Sequence, residues 1–145
     1  MANKSFDKDL LDACENGQLD RVKASLAKGA DITCVDVIGH SPLMWALVRC
    51  HPAVYNYLLD KYEDDKKVTN QVNSKDNAIP LHNAARSCDS ETVQRLAKLT
   101  NNINFKSREN ITSLDEAIYY NNVGAVTTLL RDHSNHNEKL KLKTK

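Results

Sequence analysis

The chain repeats a small set of apolar residues at a nearly fixed interval. Leucines recur at spacings of 33, 38 and 33 residues, and alanines three positions later recur at the same spacings. A period of about 33 residues predicts stacked supersecondary units, each unable to bury its apolar face alone. The aligned columns are Leu10, Leu43, Leu81 and Leu114; Ala13, Ala46, Ala84 and Ala117; Leu26, Leu59, Ala97 and Leu130; and Gly17, Cys50, Cys88 and Asn121.

Each unit is expected to contain two short helices. In the first unit, Leu10, Ala13 and Cys14 share one helical face over residues 9–15, and Gly17 ends the pattern. Apolar residues three and four apart then predict a second helix, which Gly29 stops in left-handed backbone. The sequence therefore predicts an all-α fold, with the second helix of this unit marked by Leu19, Val22 and Leu26.

Several stretches resemble motifs of the ankyrin-repeat family. They are Gly39-His40-Ser41-Pro42-Leu43, Pro80-Leu81-His82-Asn83-Ala84-Ala85, Lys28-Gly29-Ala30-Asp31-Ile32 and Ile103-Asn104. The resemblance covers about residues 5–133 and implies an ankyrin-repeat solenoid, with stacked helix-turn-helix units and short hairpin-like loops. The first and last units lack the Pro-Leu-His triplet, which suits terminal units.

The expected organisation is one ankyrin-repeat domain at 5–133, with repeats at about 5–36, 37–73, 74–106 and 107–133. A polar insertion at about 63–71 is either a tolerated surface loop or a projecting contact finger. We expect a loose N-terminus at 1–4. The basic C-terminal tail at 134–145 is expected to fray, the alternative being an extra helix or strand that seals the last unit.

Local signals add detail to this organisation. Ser5 or Asp7 is expected to cap the first helix, Ser41 and Pro42 to begin a helix, and Asp89 or Ser90 to cap another. Trp45 is expected to be mostly core. The expected buried set of the fourth unit is Leu114, Ala117, Ile118, Val126, Leu129 and Leu130.

Composition excludes several classes of partner. The formal net charge of +1 gives no support for nucleic-acid binding. No signal peptide and no membrane-spanning run is seen, so we expect a cytoplasmic monomer with no membrane partner, and delivery into a host cell stays open. The four cysteines form no C-x-x-C motif and are expected to be reduced thiols: Cys14, Cys34, Cys50 and Cys88.

No motif predicts catalysis. The chain has no G-x-S-x-G, no H-E-x-x-H and no phosphate-binding glycine loop, so we expect no enzyme activity and no cofactor. His133 and His136 have a spacing that metals can use but no obvious third ligand, so no metal site is expected. The family resemblance implies a structural hydrogen bond, and not catalysis, for His82.

A binding surface is expected on the first-helix faces and loop tips, where the resemblance implies that partners bind. Val37 and Ile38 are apolar residues on a predicted turn, where polar residues are usual; the alternative is that they pack against the next hairpin. Tyr and Arg are residue types that often anchor interfaces. The predicted partner-binding residues are Val37, Ile38, His40, Val48, Arg49, Ala78, Arg86, Ser87, Arg108, Ile111, Tyr119 and Tyr120.

We therefore expect a non-enzymatic protein-protein interaction module. The arginines favour a partner with an acidic or carboxylate-bearing segment, and the tyrosines would take its apolar side chains. One alternative is a secreted effector or an assembly chaperone or adaptor that uses the same surface. A remote alternative is an enzyme with a hidden site. The combined changes Arg86→Glu and Tyr120→Ala are expected to abolish partner capture with little effect on the thermal midpoint.

Overall fold

The computed structural model describes residues 4–132, and this segment consists of helices and connecting loops, with no β-strand in it. The predicted all-α class is confirmed for these residues. Residues 1–3 of the expected loose N-terminus and the basic tail at 134–145 lie outside the described residues, as does His133.

Nine helices are seen between residues 4 and 132. Eight are α1 (Lys4–Asn16), α2 (Leu19–Ala27), α3 (Pro42–Val48), α4 (Pro52–Tyr62), α5 (Lys66–Thr69), α6 (Pro80–Ser87), α7 (Ser90–Leu99) and α8 (Ser113–Tyr119). The ninth, α9, occupies residues 123–132.

Several helix starts follow from side chains that satisfy free backbone N–H groups. Ser41 Oγ accepts from the Met44 N–H with Pro42 in the first turn, and the Asp89 carboxylate accepts from the Thr92 N–H, as predicted. The prediction for the first helix was wrong, because α1 begins at Lys4 and already contains Ser5 and Asp7. Asp7 instead accepts a hydrogen bond from the backbone N–H of Asp31 at 2.7 Å, which ties the loop after α2 to α1.

The helices contact one another in a regular order. α1 packs on α3, α3 on α6 and α6 on α8, while each of α1, α3 and α6 also packs on the helix that follows it. The repeated alanines Ala13, Ala46, Ala84 and Ala117 are fully buried at these contacts. Small residues there let the helix axes approach closely, so the repeated alanine column of the sequence is part of the core.

Two residues of the last unit are not buried as predicted. Ile118 is 59% exposed and Leu130 is 50% exposed. Residues at the repeat position of Ile118 in the earlier units, which are Cys14, Leu47 and Ala85, are fully buried. Each of those packs toward a following unit, whereas no further helix of the described segment covers this side of α8 and α9. Burial of a residue such as Ile118 requires a following helix, and the apolar pattern of α8 itself does not show whether one is present.

The polar insertion at 63–71 contains the short helix α5. Asp65 caps α5 by accepting from the Lys67 N–H, and Val68 and Thr69 are buried beneath it. Lys66 Nζ and Asn70 Nδ2 both donate to the Leu99 carbonyl oxygen, at 2.8 and 2.9 Å. The insertion is therefore bound to the end of α7.

Candidate functional site

A groove of about 720 Å³ lies between two loops and the helices α6 and α8. The loops are the segments 75–78 and 107–111, which precede α6 and α8. We call this feature the loop groove. Its lining is formed by Lys75, Asp76, Ala78, Arg86, Ser107, Arg108, Glu109, Ile111, Asp115, Glu116, Tyr119 and Tyr120.

The two loops of the groove are held together by hydrogen bonds. The Arg108 N–H donates to the Asp76 carbonyl oxygen at 2.8 Å, and Asn77 Nδ2 donates to the Lys106 carbonyl oxygen at 3.1 Å. The Asp76 carboxylate accepts the Ala78 N–H at 2.9 Å. Because backbone groups are paired in this way, the rim of the groove is formed in the absence of any ligand.

His82 fixes the floor beneath these loops. Its ring is buried, Nδ1 accepts the Ile79 N–H at 3.1 Å, and Nε2 lies 2.8 Å from the Ile111 carbonyl oxygen, to which it donates. Nδ1 therefore caps the start of α6, while Nε2 joins α6 to the loop before α8. The structural role that the resemblance implied for His82 is present in these contacts.

Arg86 lies within a set of compensating groups on one wall of the groove. Its Nε is 3.6 Å from Glu116 Oε2, its guanidinium lies 4.5 Å from the Tyr120 ring centroid, and it also donates to the Tyr120 hydroxyl. Partial burial raises the pKa of the Glu116 carboxyl, and the charge of Arg86 opposes that rise. Arg86 thus positions Tyr120 and offsets the charge of Glu116.

Tyr119 projects from the end of α8 at the mouth of the groove. It is 82% exposed, and its ring meets the Tyr120 ring edge-on with the centroids 5.1 Å apart. A large aromatic surface at such exposure has no packing role in the described segment beyond this contact. Aromatic side chains of this kind contribute strongly to protein interfaces.

A second exposed apolar feature is the loop before α3. Val37 is 89% exposed, and it forms an apolar tip together with Val35 and Ile38. Asp36 braces this tip, because its carboxylate accepts the backbone N–H groups of Ile38 and His40 and the Trp45 indole N–H. The tip is therefore preformed: Val37 projects into solvent, whereas Ile38 is about half covered and its carbonyl oxygen accepts from Asn73 Nδ2 of the next loop.

Arg49 repeats, one unit earlier, the surroundings of Arg86. It pairs with Glu15 at 3.3 Å, and its guanidinium lies 5.3 Å from the Trp45 ring centroid. Trp45 is half-buried, with its ring stacked at 4.8 Å from His40. The arginine near the end of α3 and the one near the end of α6 thus each contact a carboxylate, from α1 and α8 respectively, and an aromatic ring.

The structure brings six of the twelve predicted residues together in the loop groove. The others lie at the apolar tip and at the ends of α3 and α6. Ala78 was predicted to be exposed and is only 8% exposed, because its N–H is held by Asp76 and its backbone turns inward toward Asn73. The groove residues among the twelve are Ala78, Arg86, Arg108, Ile111, Tyr119 and Tyr120.

Sequence reasoning missed half of the groove lining. Most of the missed residues are charged, and they flank the predicted residues along the chain. Their loop positions were recognisable, but which of them face inward depends on the hydrogen bonds between the two loops. The missed residues are Lys75, Asp76, Ser107, Glu109, Asp115 and Glu116.

Other kinds of site are not seen between residues 4 and 132. No three His, Cys, Asp or Glu side chains in that span converge in a way that could hold a metal ion. His133 and His136, the pair whose spacing metals can use, lie outside the described residues. None of the helices in the described part of the chain is long and apolar enough to cross a bilayer.

Comparisons with known proteins add no family assignment. A scan against protein-family models found no match. A search of curated proteins also found no match. The likeness to the ankyrin-repeat family therefore depends on the repeated residues of this chain and on the motifs quoted from them.

Proposed function

We propose that this chain is an ankyrin-repeat protein that binds another protein through the loop groove and the apolar tip and catalyses no reaction. The observation that carries the proposal is the groove with Tyr119 at its mouth. A largely exposed tyrosine beside a preformed groove of mixed polarity is typical of a contact site.

The ankyrin solenoid is supported by the order of helix contacts. First helices of successive units pack in sequence, and the repeated alanines lie at their contacts. Such a stack presents its loops and first helices on one continuous face. The loop groove is formed by two loops and two first helices, so we place the binding site on that face.

Preformed geometry supports binding by limiting its entropic cost. Loops that are already hydrogen-bonded to one another lose little freedom when a partner binds. The 75–78 and 107–111 loops are joined by one backbone hydrogen bond and by one from the Asn77 side chain, and Asp36 holds the apolar tip. Because the surface is already ordered, little of the binding free energy is lost in ordering it when a partner binds.

The proposed partner presents an extended segment with apolar and carboxylate side chains. Tyr119 and the apolar tip would take the apolar groups. Arg108 is exposed, and its guanidinium donates to the Ser74 carbonyl oxygen at 3.4 Å, a long bond that an incoming carboxylate can replace. Arg49 and Arg86 already face Glu15 and Glu116, so Arg108 is the arginine best suited to this role.

The test is affinity capture from native lysate with identification by mass spectrometry. The original pair Arg86→Glu and Tyr120→Ala is unsuitable, because a glutamate at 86 would repel Glu116. The better groove variant combines Tyr119→Ser with Arg108→Glu. Its matched control combines Val123→Ser with Lys98→Glu, which change the same residue classes at exposed positions outside the groove.

We expect the wild-type protein and the control to retain the same specific partner and the groove variant to lose it. Thermal midpoints of all three should agree closely, because surface changes away from packed contacts have small effects. Retention of that partner by a folded groove variant would rule out the loop groove as the binding site.

A further inference from the structure

Two cysteine side chains meet where α3 and α6 end. The Cys50 N–H donates to the Leu47 carbonyl oxygen at 3.2 Å, and Cys88 Sγ lies 3.6 Å from that same oxygen. In return, Cys50 Sγ lies 3.8 Å from the carbonyl oxygen of Ser87, the residue before Cys88. Each thiol therefore lies against a backbone carbonyl oxygen close in sequence to the other cysteine.

The backbone at Cys50 is unusual for a cysteine. Its φ is +57°, and the residues at the same repeat position in the first and last units, Gly17 and Asn121, have φ values of +72° and +57°. Glycine and asparagine tolerate left-handed backbone, whereas other residues adopt it at a cost. Local conformational preference therefore does not explain a cysteine at position 50, and its side chain lies against the Ser87 carbonyl oxygen, next to Cys88.

The two thiols differ in access to solvent. Cys50 is exposed, and Cys88 is buried. Burial, together with the adjacent Cys50 and Asp89, raises the pKa of the Cys88 thiol to about 12, while a hydrogen bond with Tyr55 acts in the opposite direction. The pair thus combines a thiol that solutes can reach with a protected neighbour.

We propose that Cys50 and Cys88 form a reversible thiol modification site at which a small-molecule disulfide, such as glutathione disulfide, is exchanged for an intramolecular disulfide. This proposal goes beyond partner binding and does not depend on it. The reduced state expected in a cytosolic setting is the resting state of the site.

The exchange has two balanced steps. The Cys50 thiolate attacks one sulfur of glutathione disulfide, forms a mixed disulfide and releases one glutathione thiolate. Cys88 then loses its proton and attacks Cys50 Sγ, which releases the second glutathione. The protein loses two thiol hydrogens and is oxidised, while one glutathione disulfide is reduced to two molecules of glutathione.

The location gives the modification a consequence. Cys50 follows Arg49, and Cys88 follows Ser87, and both neighbours belong to the predicted binding surface. A disulfide would join the ends of α3 and α6 and fix their spacing at that surface. The mixed disulfide would instead place a bulky, negatively charged tripeptide there.

The test uses the full chain, fully reduced and then incubated with glutathione disulfide at mildly alkaline pH. The protein is then unfolded in denaturant, the remaining thiols are blocked with N-ethylmaleimide, and intact mass and peptide mapping follow. We expect the loss of two of the four blockable thiols and a cross-linked peptide joining Cys50 to Cys88. Cys14 and Cys34 supply an internal control, because neither is exposed and burial raises the pKa of both to about 12.

Two variants check the order of the steps. Cys88→Ala should stop at a stable mixed disulfide on Cys50, seen as the added mass of one glutathionyl group. Cys50→Ser should leave Cys88 unmodified. Four blockable thiols after exposure of the wild-type protein, or a cross-link between Cys14 and Cys34 in place of the expected one, would overturn the proposal, and this result does not depend on the folding of either variant.

Discussion

His82 donates from Nε2 to the carbonyl oxygen of Ile111 at 2.8 Å, while its Nδ1 accepts the N–H of Ile79. One buried ring thus connects the start of α6 to the loop that begins the next unit. The floor of the loop groove depends on this link, because Ile111 is part of its lining.

Replacing His82 should weaken the fold more than replacing a less connected histidine. His82→Ala leaves a buried N–H and a buried carbonyl oxygen without their partner, so we expect a loss of ~2–4 kcal/mol in the free energy of unfolding. His40→Ala is the comparison, since His40 Nδ1 has no hydrogen-bond partner in the described segment. Urea denaturation measures both, and equal losses would argue against the bridging role of His82.

Gly39 should not tolerate a side chain. Its φ is +82°, and an added Cβ would lie 2.2 Å from Asn73 Oδ1. Asn73 cannot move aside, because it is buried and bonds both the Lys75 N–H and the Ile38 carbonyl oxygen. We expect Gly39→Ala to cost ~1–3 kcal/mol of stability.

The matched control for that change is Gly124→Ala. Gly124 lies in α9, and the close atom there is the hydroxyl of exposed Ser90, which can rotate. Alanine also has the better helix propensity, so the change should be nearly neutral or slightly stabilising. Thermal melts that show similar losses for both variants would contradict the constraint assigned to Gly39.

Equivalent positions in different repeats should respond differently to truncation. Leu47 is fully buried between units, so Leu47→Ala should cost ~2–5 kcal/mol. Ile118, at the same repeat position in the last unit, is largely exposed, so Ile118→Ala should cost less than ~1 kcal/mol. Denaturant titration compares them, and a large loss at Ile118 would mean that this side of α8 is covered in solution.

The buried thiols should make the fold sensitive to alkaline pH. Burial raises the pKa of Cys14 and Cys88 from 9.0 to about 12. Above pH 9 the unfolded chain loses these protons while the folded chain keeps them, so stability falls as pH rises from 9 to about 12. Each thiol contributes a slope of about 1 kcal/mol per pH unit within that window.

Denaturation midpoints between neutral pH and pH 11 measure this slope. Cys88→Ala should reduce it, because the variant has one fewer buried thiol to ionise on unfolding. Cys50→Ala is a second comparison: it should keep most of the slope but move its upper limit to lower pH, because Cys50 is one of the groups that raise the pKa of Cys88. An unchanged slope in Cys88→Ala would show that Cys88 is not protected from ionisation in the folded state.

Local chemistry made much of the fold predictable. Ser41 with Pro42 and Asp89 begin helices because their side chains satisfy N–H groups within one turn, a relation that the sequence alone contains. Repeated alanines such as Ala46 and Ala84 are buried because the repeat places the same small residue at each helix contact. Features of this kind need no knowledge of distant parts of the chain.

The features that were missed depend on hydrogen bonds and packing that residue type alone does not specify, most of them with a neighbouring unit. Ile118 has an apolar helical pattern, but its burial requires a following helix. Ala78 turns inward because of hydrogen bonds within its loop, and Arg86 is engaged by Glu116 from α8. The residues of the groove were therefore only half predictable, because a lining is set by contacts across repeats and not by residue type.

Hydrogen–deuterium exchange on the complex with the captured partner tests the proposed binding surface most directly. We predict slower exchange on binding at the loops 75–78 and 107–111, at the end of α8 around Tyr119 and at the loop that holds Val37, with α4 and α7 unchanged. Protection confined to α4 and α7, with the groove loops exchanging as in the free protein, would contradict binding through the loop groove.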